Sequence, residues 1–261
     1  MNRYLRIYKA IFKINTAYML TYRTSFINGL VSSFGWGAFQ IIWMTLLTNK
    51  TKMVFGWKQD EMILLALGYS VSIGILHFLF SRNFDAFSRI IDRGEFDSHL
   101  LKPLDSQFSI STSILSYPNA VRTVVGLGLI VWWSIAHNYH IGLIEILNFS
   151  FLIGAGVMVT YSIWCLFITL LIWYPNLNNM ADLLYTMDGL ARYPSEMIRM
   201  SGNIILYFLI PLTLVVATPV RVLLQKNMWP DEALLLGLCV LLLYLSRKFW
   251  KYSLKYYTSA S

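Results

Sequence analysis

Residues Ser81–Gln107, SRNFDAFSRIIDRGEFDSHLLKPLDSQ, form the longest charged interruption between apolar segments of this chain. Arg82, Arg89, Arg93 and Lys102, with Asp85, Asp92, Glu95, Asp97 and Asp105, separate one hydrophobic run from the next. The first half reads as an amphipathic helix. Phe80, Phe84, Phe87 and Ile91 recur at helical spacing on one face, and Gly94 stands where a left-handed cap would end the helix. Asp97 is then expected to cap a short turn through Ser98, His99, Leu100 and Leu101, which Pro103 stops. Asp105 or Ser106 caps whatever follows. Two short helices joined at a glycine make a compact knob, stiffened by burying Phe84, Phe87 and Ile91 together with Phe96, Leu100 and Leu101.

The composition says what such a knob hangs from. The 261 residues are 57% hydrophobic and 13% charged, and mean hydropathy is +0.56, against roughly 25% charged in an ordinary soluble domain. That is an all-α integral membrane protein. At about 20 apolar residues per span, six spans with short connections account for nearly the whole chain and leave no room for a soluble enzyme domain.

Working outward, residues 1–24 read as an interfacial helix, because Arg3, Arg6, Lys9 and Lys13 share one side, suited to anionic lipid. The interruptions at Lys13 and Arg23 argue against a signal peptide. Spans are expected at Phe26–Leu47, Met62–Phe80, Phe108 to about Ala136, Ile141–Tyr174, within Ile204–Leu224, and Ala233 to about Leu245. His137–His140 is a short turn between the third and fourth, Asn176–Asn203 a polar connection on the side of the termini or, since it carries both signs of charge, a segment that dips into the membrane, and residues 251–261 a basic tail. This layout puts fifteen Lys and Arg on the side of both termini and of Ser81–Gln107, and five on the other. Both termini are therefore expected in the cytoplasm, and the net charge of +8 reflects topology and not nucleic-acid binding.

With those residues in view, a resemblance can be stated. Ile90-Ile91-Asp92-Arg93-Gly94-Glu95-Phe96-Asp97, followed by Leu100-Leu101-Lys102-Pro103-Leu104, resembles the cytoplasmic loop of type-2 ABC exporter permeases. It is most similar to a branch of bacterial permeases with an R-x-G-x-[FL]-D-x-x-L-[LV]-[RK]-P motif between the second and third spans. Ala191-Arg192-Tyr193-Pro194, Ile210-Pro211 and Thr218-Pro219 are similar to that branch's late segments. The resemblance implies six spans in the bacterial inner membrane with cytoplasmic termini, and re-entrant elements between the fifth and sixth spans, where Pro211 and Pro219 would mark the turn. It also implies a loop helix that docks in a groove of a separate ABC ATP-binding subunit, two copies of which would carry ATP and Mg. A second permease chain, identical or related, would complete the pore, and this chain would bind no cofactor.

The residues expected to couple the permease to its ATPase are Phe84, Phe87, Arg93, Gly94, Glu95, Phe96, Asp97, Leu100, Lys102 and Pro103. A transporter needs a rigid element that a motor can push, and burial of the aromatic face supplies it at roughly 1.5–3 kcal/mol per large side chain. The alternative is a solvated loop whose charges only set topology. No glycine precedes a lysine, so no G-x-x-x-x-G-K-[ST] phosphate cradle is present, and ATP hydrolysis must belong to a partner.

Arg122 is expected either to contact an anionic group of a hydrophobic or amphiphilic substrate, or to lie near the interface on a span that starts at Pro118. Trp132 and Trp164 share the expected substrate path with it. His137 and His140 lack the further ligands a metal needs, and His77 reads as a helix contact. Cys165 and Cys239 read as packing residues, and the pairs Gly126/Gly128 and Gly154/Gly156 as close helix crossings. Two other classes stay open at this point: a lipid-directed membrane enzyme, which would need clustered His and acidic residues that are absent, and a membrane anchor or receptor.

Overall fold

The computed structural model describes residues 2–48, 53–139, 141–175, 177, 179–200, 209–226 and 228–258. The chain is helical almost throughout, as an apolar chain must be when its peptide groups have no water to bond. After α1 (Asn2–Thr21) and α2 (Arg23–Thr48), a hairpin of β1 (Met53–Val54) and β2 (Trp57–Lys58) leads into α3 (Gln59–Leu76). A single π turn, His77–Ser81, carries α3 without a break into α4 (Arg82–Asp92). There follow α5 (Phe96–Leu100), α6 (Ser106–Thr112), α7 (Tyr117–Ala136) and α8 (Leu143–Thr169). Then come α9 (Met180–Asp188), α10 (Ser195–Met200), α11 (Ile210–Leu223) and α12 (Trp229–Lys255).

Among the described residues, five helices are long and apolar enough to cross a membrane: α2, the continuous α3–α4, α7, α8 with its short extension to Ile172, and α12. The chain is a multi-pass membrane protein. α11 is apolar but has only 14 residues, short of the about 20 a span needs. The expected fifth span began at Ile204, which lies outside the described residues.

The buried core is built around α3, α8 and α11. The glycines divide by what they face. A Cβ at Gly156 would lie 2.7 Å from the Val215 carbonyl oxygen of α11, whereas one at Gly154 would meet nothing within 4 Å. Gly126 likewise faces Val71 while Gly128 faces open space, and on α2 Gly29 faces Pro118 while Gly35 and Gly37 face nothing. One glycine of each expected pair therefore makes the crossing. Gly156→Ala should destabilise the detergent-purified protein by about 1–3 kcal/mol, because backbone cannot step aside. Gly154→Ala should leave the unfolding temperature within error.

Three elements differ from their sequence-based limits. The third span begins at Tyr117, not Phe108, because Ser113–Ser116 breaks the helix. Asn83 accepts from Ile114 N–H (2.7 Å) and donates to Ile114 O (2.8 Å). Asn15 does the same for Leu115 N–H and Ser113 O, both at 3.0 Å, so the freed peptide groups stay bonded. The last helix runs to Lys255 instead of stopping near Leu245, and Arg247 and Trp250 in this added length find partners on the loop at Asp105 and Ser106.

The third difference concerns Asn176–Asn203. Asp188 meets His77 at the end of α3, Arg192 lies over Tyr69, and Glu196 meets Trp57 just before α3 begins. The segment 180–200 thus runs along α3 from one end of the bundle to the other in short helical pieces. Arg199, assigned above to the side of the loop, sits at the opposite end, paired with Asp231.

Candidate functional site

At the loop end of the bundle, Gly94 adopts φ +67° and closes α4 as expected. Its N–H bonds Ile91 O (3.0 Å) and that of Glu95 bonds Ile90 O (2.9 Å), the paired bonds of a glycine-terminated helix. The turn throws Phe96 back onto α4. The Phe96 ring lies 5.3 Å from Phe87, 5.1 Å from Tyr257 and 6.3 Å from Trp250, and Phe87 lies 5.5 Å from Trp250. Phe84, Phe87 and Phe96 are fully buried, so the loop is packed on the end of α12.

Polar contacts fix the same junction. Asp105 caps α6 through Phe108 N–H (3.0 Å) and takes two bonds from the Arg247 guanidinium, one of them 2.9 Å. Trp250 donates to Ser106 Oγ (3.0 Å). Burial works to raise the Asp105 pKa, but the bonds from Arg247 and Phe108 outweigh it and hold the carboxyl below 3.8. The stability this adds is present above the unfolded value and lost only as pH falls through the folded one, so it is intact at neutral pH. On the outer edge, Arg3 of α1 donates to Pro103 O (2.7 Å).

Two expectations for this loop are corrected. Asp97 lies inside α5, whose N-cap is Glu95. Leu101 is 86% exposed and Leu100 is also exposed, because five-residue α5 buries only its Phe96 side. The outward face of the knob therefore presents Arg93, Glu95, Ser98, Leu101, Lys102 and Pro103.

A cavity of about 610 Å³ lies between α2, α3–α4, α7 and the 180–192 stretch. Tyr69, Ile73, His77 and Asp85 form its α3–α4 wall, and Gly29, Ser33, Trp36 and Gln40 its α2 wall. Arg122 lines it, six residues into α7 and 9% exposed, donating from Nε to Ser70 Oγ (3.0 Å). The span thus starts late, as one of the two sequence-based readings of Arg122 has it, and the residue lines a cavity.

Neither tryptophan placed beside Arg122 lines that space. Trp132 is 65% exposed on the outer face of α7. Trp164 is buried behind the wall, where its indole N–H bonds Asp188 Oδ1 (2.9 Å), whose other oxygen faces His77 Nε2 (3.1 Å). Arg192, Tyr69 and Gln40 escaped the sequence reading as cavity residues. The available signal was the run Gly29, Ser33, Trp36, Gln40 at spacings of four, three and four, a polar stripe on an otherwise apolar helix.

At the end opposite the loop, charges join four elements. Arg221 of α11 pairs with Glu196 of α10 and Asp231 of α12, and its guanidinium lies 5.5 Å from the Trp57 ring. Lys226 pairs with Glu61 at 2.8 Å. His137 stacks on Trp133 and lies 3.7 Å from Asp60, while His140 is outside the described residues. No group of three or more metal-ligating side chains occurs among the described residues.

Residues 34–261 match the model of a family described as ABC-2 family transporter protein. No curated protein and no solved structure matches the chain.

Proposed function

Because the chain belongs to the ABC-2 family of transporter proteins, we propose that it is the permease subunit of an exporter driven by a separate ABC ATPase. The ATPase, in two copies with their ATP and Mg, docks on the knob at Arg93–Pro103, and a second permease chain, identical or related, completes the pore. In this reading the chain belongs to the branch carrying R-x-G-x-F-D-x-x-L-L-K-P, which its loop resembles. The knob and both termini face the cytoplasm of a bacterium, across its inner membrane. The 180–200 stretch supplies the remaining crossing, and α11, too short to span, is the re-entrant element before α12. The cargo is hydrophobic or amphiphilic, a drug, lipid or natural product, and leaves toward the Arg221 end.

The observation that carries this reading is the knob's two-sidedness. Its inner side is bonded and packed onto α4, α6 and α12, so a push on it reaches three helices. Its outer side offers an unburied leucine between charged residues, the make-up of a docking anchor with a polar rim.

Leu101→Asp should therefore abolish co-purification of the ATPase, a loss of about 2 kcal/mol or more if this side chain is a central anchor. The unfolding temperature of the permease alone should not move, since the side chain is exposed. An ATPase that still binds with unaltered affinity would put the docking surface elsewhere.

A further inference from the structure

Of the three arginines that line the cavity, Arg82 lies near Asp85 at the loop end, and Arg122 and Arg192 lie further along α3. Arg122 and Arg192 converge on neighbouring residues of α3. Arg122 bonds Ser70 Oγ at 3.0 Å, and the Arg192 guanidinium lies 5.5 Å from the Tyr69 ring. The carboxylates Asp85 and Asp182 line the cavity nearer the loop, Asp85 accepting from Tyr185 OH at 2.9 Å. Along the helix, Ser70 and Asp85 are separated by roughly 20 Å at the usual rise per residue.

Among the described residues no carboxylate lies within ion-pair distance of Arg122 or Arg192. Arg122 spends one N–H on Ser70, and Arg192 bonds the Gly189 carbonyl, at 2.6 Å, and the uncharged Tyr69 side chain. Arg122 is buried and Arg192 half-buried; a buried guanidinium left without a counter-charge is costly, and such a residue in a membrane bundle usually serves a ligand or ion path. The contrast within this molecule is direct, because buried Arg221 has two carboxylates. The Gln40 side-chain amide nitrogen is also buried without a partner, and Gln40 lines the same cavity.

We propose that Arg122 and Arg192 together bind the oxyanion headgroup, phosphate or carboxylate, of an amphiphilic substrate. The inference rests on the transporter reading and narrows its cargo to anionic amphiphiles. Two guanidinium forks match such a group in geometry as well as charge. A volume of about 610 Å³ suits a headgroup, and Trp36, exposed at the rim of α2, leaves the tail in contact with the lipid.

The test uses the full chain in non-ionic detergent, probed by ligand-induced shifts in unfolding temperature with dodecyl phosphate, dodecanoate, dodecyltrimethylammonium and inorganic phosphate. The two anionic amphiphiles should bind, and Arg122→Gln and Arg192→Gln should each weaken them about tenfold or more. Arg122→Lys, which keeps the charge, should recover part of that loss, and it carries the decision together with Arg192→Gln if Arg122→Gln does not fold. Unchanged affinity in the arginine variants, or equal binding of dodecyltrimethylammonium, overturns the proposal. Inorganic phosphate binding as tightly as dodecyl phosphate overturns the amphiphilic cargo and makes a free oxyanion the ligand. The binding arm needs no ATPase, so a failure here is distinct from absence of an ATPase partner, which would sink the transporter reading itself.

Discussion

Arg221→Ala should remove about 3–5 kcal/mol of stability, seen as a large drop in the unfolding temperature of the purified chain. Arg221 is buried on α11 and holds Asp231 of α12 and Glu196 of α10 at once, with Ser195 Oγ 3.3 Å away. Deleting it strands the buried Asp231 carboxylate, whose remaining partner, Arg199, lies at 2.7 Å but is part-exposed. The penalty comes less from lost attraction than from leaving a buried carboxylate that was shared by two guanidinium groups to the part-exposed Arg199. Arg221→Lys should cost less, since one ammonium keeps the charge but cannot fork between two carboxylates. Replacing Arg221, Glu196 and Asp231 together by apolar residues of similar volume should restore much of the loss. If Arg221→Ala melts where the wild type does, these pairs do not hold the far end closed.

That cluster also shows where the sequence could and could not be read. Gly94 and the period of Phe84, Phe87 and Ile91 are local signals, and the structure places each as its spacing dictates. The Ser113–Ser116 break was only half legible: Pro118 marks the later start, but the residues that satisfy the break, Asn15 and Asn83, come from α1 and α4. Residues 180–200 misled for the same reason. Their mixed charges look like a wet connection until His77, Tyr69 and Trp57 are found alongside them. The basic end of α12 looked like a tail because Arg247 and Trp250 have their partners in the loop. Arg122 was conspicuous as a charge in an apolar run, but Arg192, in a polar stretch, was not.

The loop itself gives the sharpest test of transmission as opposed to docking. Phe96→Ala should loosen the knob by about 3–5 kcal/mol, the usual cost of emptying a buried phenylalanine site. The lesion lies between Phe87, Trp250 and Tyr257 and touches none of the outward residues. An ATPase that recognises Leu101, Lys102 and Pro103 should therefore still bind, in contrast to the Leu101→Asp variant. A loosened knob absorbs displacement instead of passing it to α4 and α12, so transport per ATP hydrolysed should fall on the order of tenfold if only a tenth of the strokes are transmitted, an effective loss of about 1.4 kcal/mol. Measuring ATPase affinity, hydrolysis and transport on one reconstituted preparation separates the outcomes. Lost affinity in Phe96→Ala would mean that burial serves recognition, and unaltered transport per ATP would mean that the push enters the bundle by another route, leaving the aromatic cluster a purely structural plug.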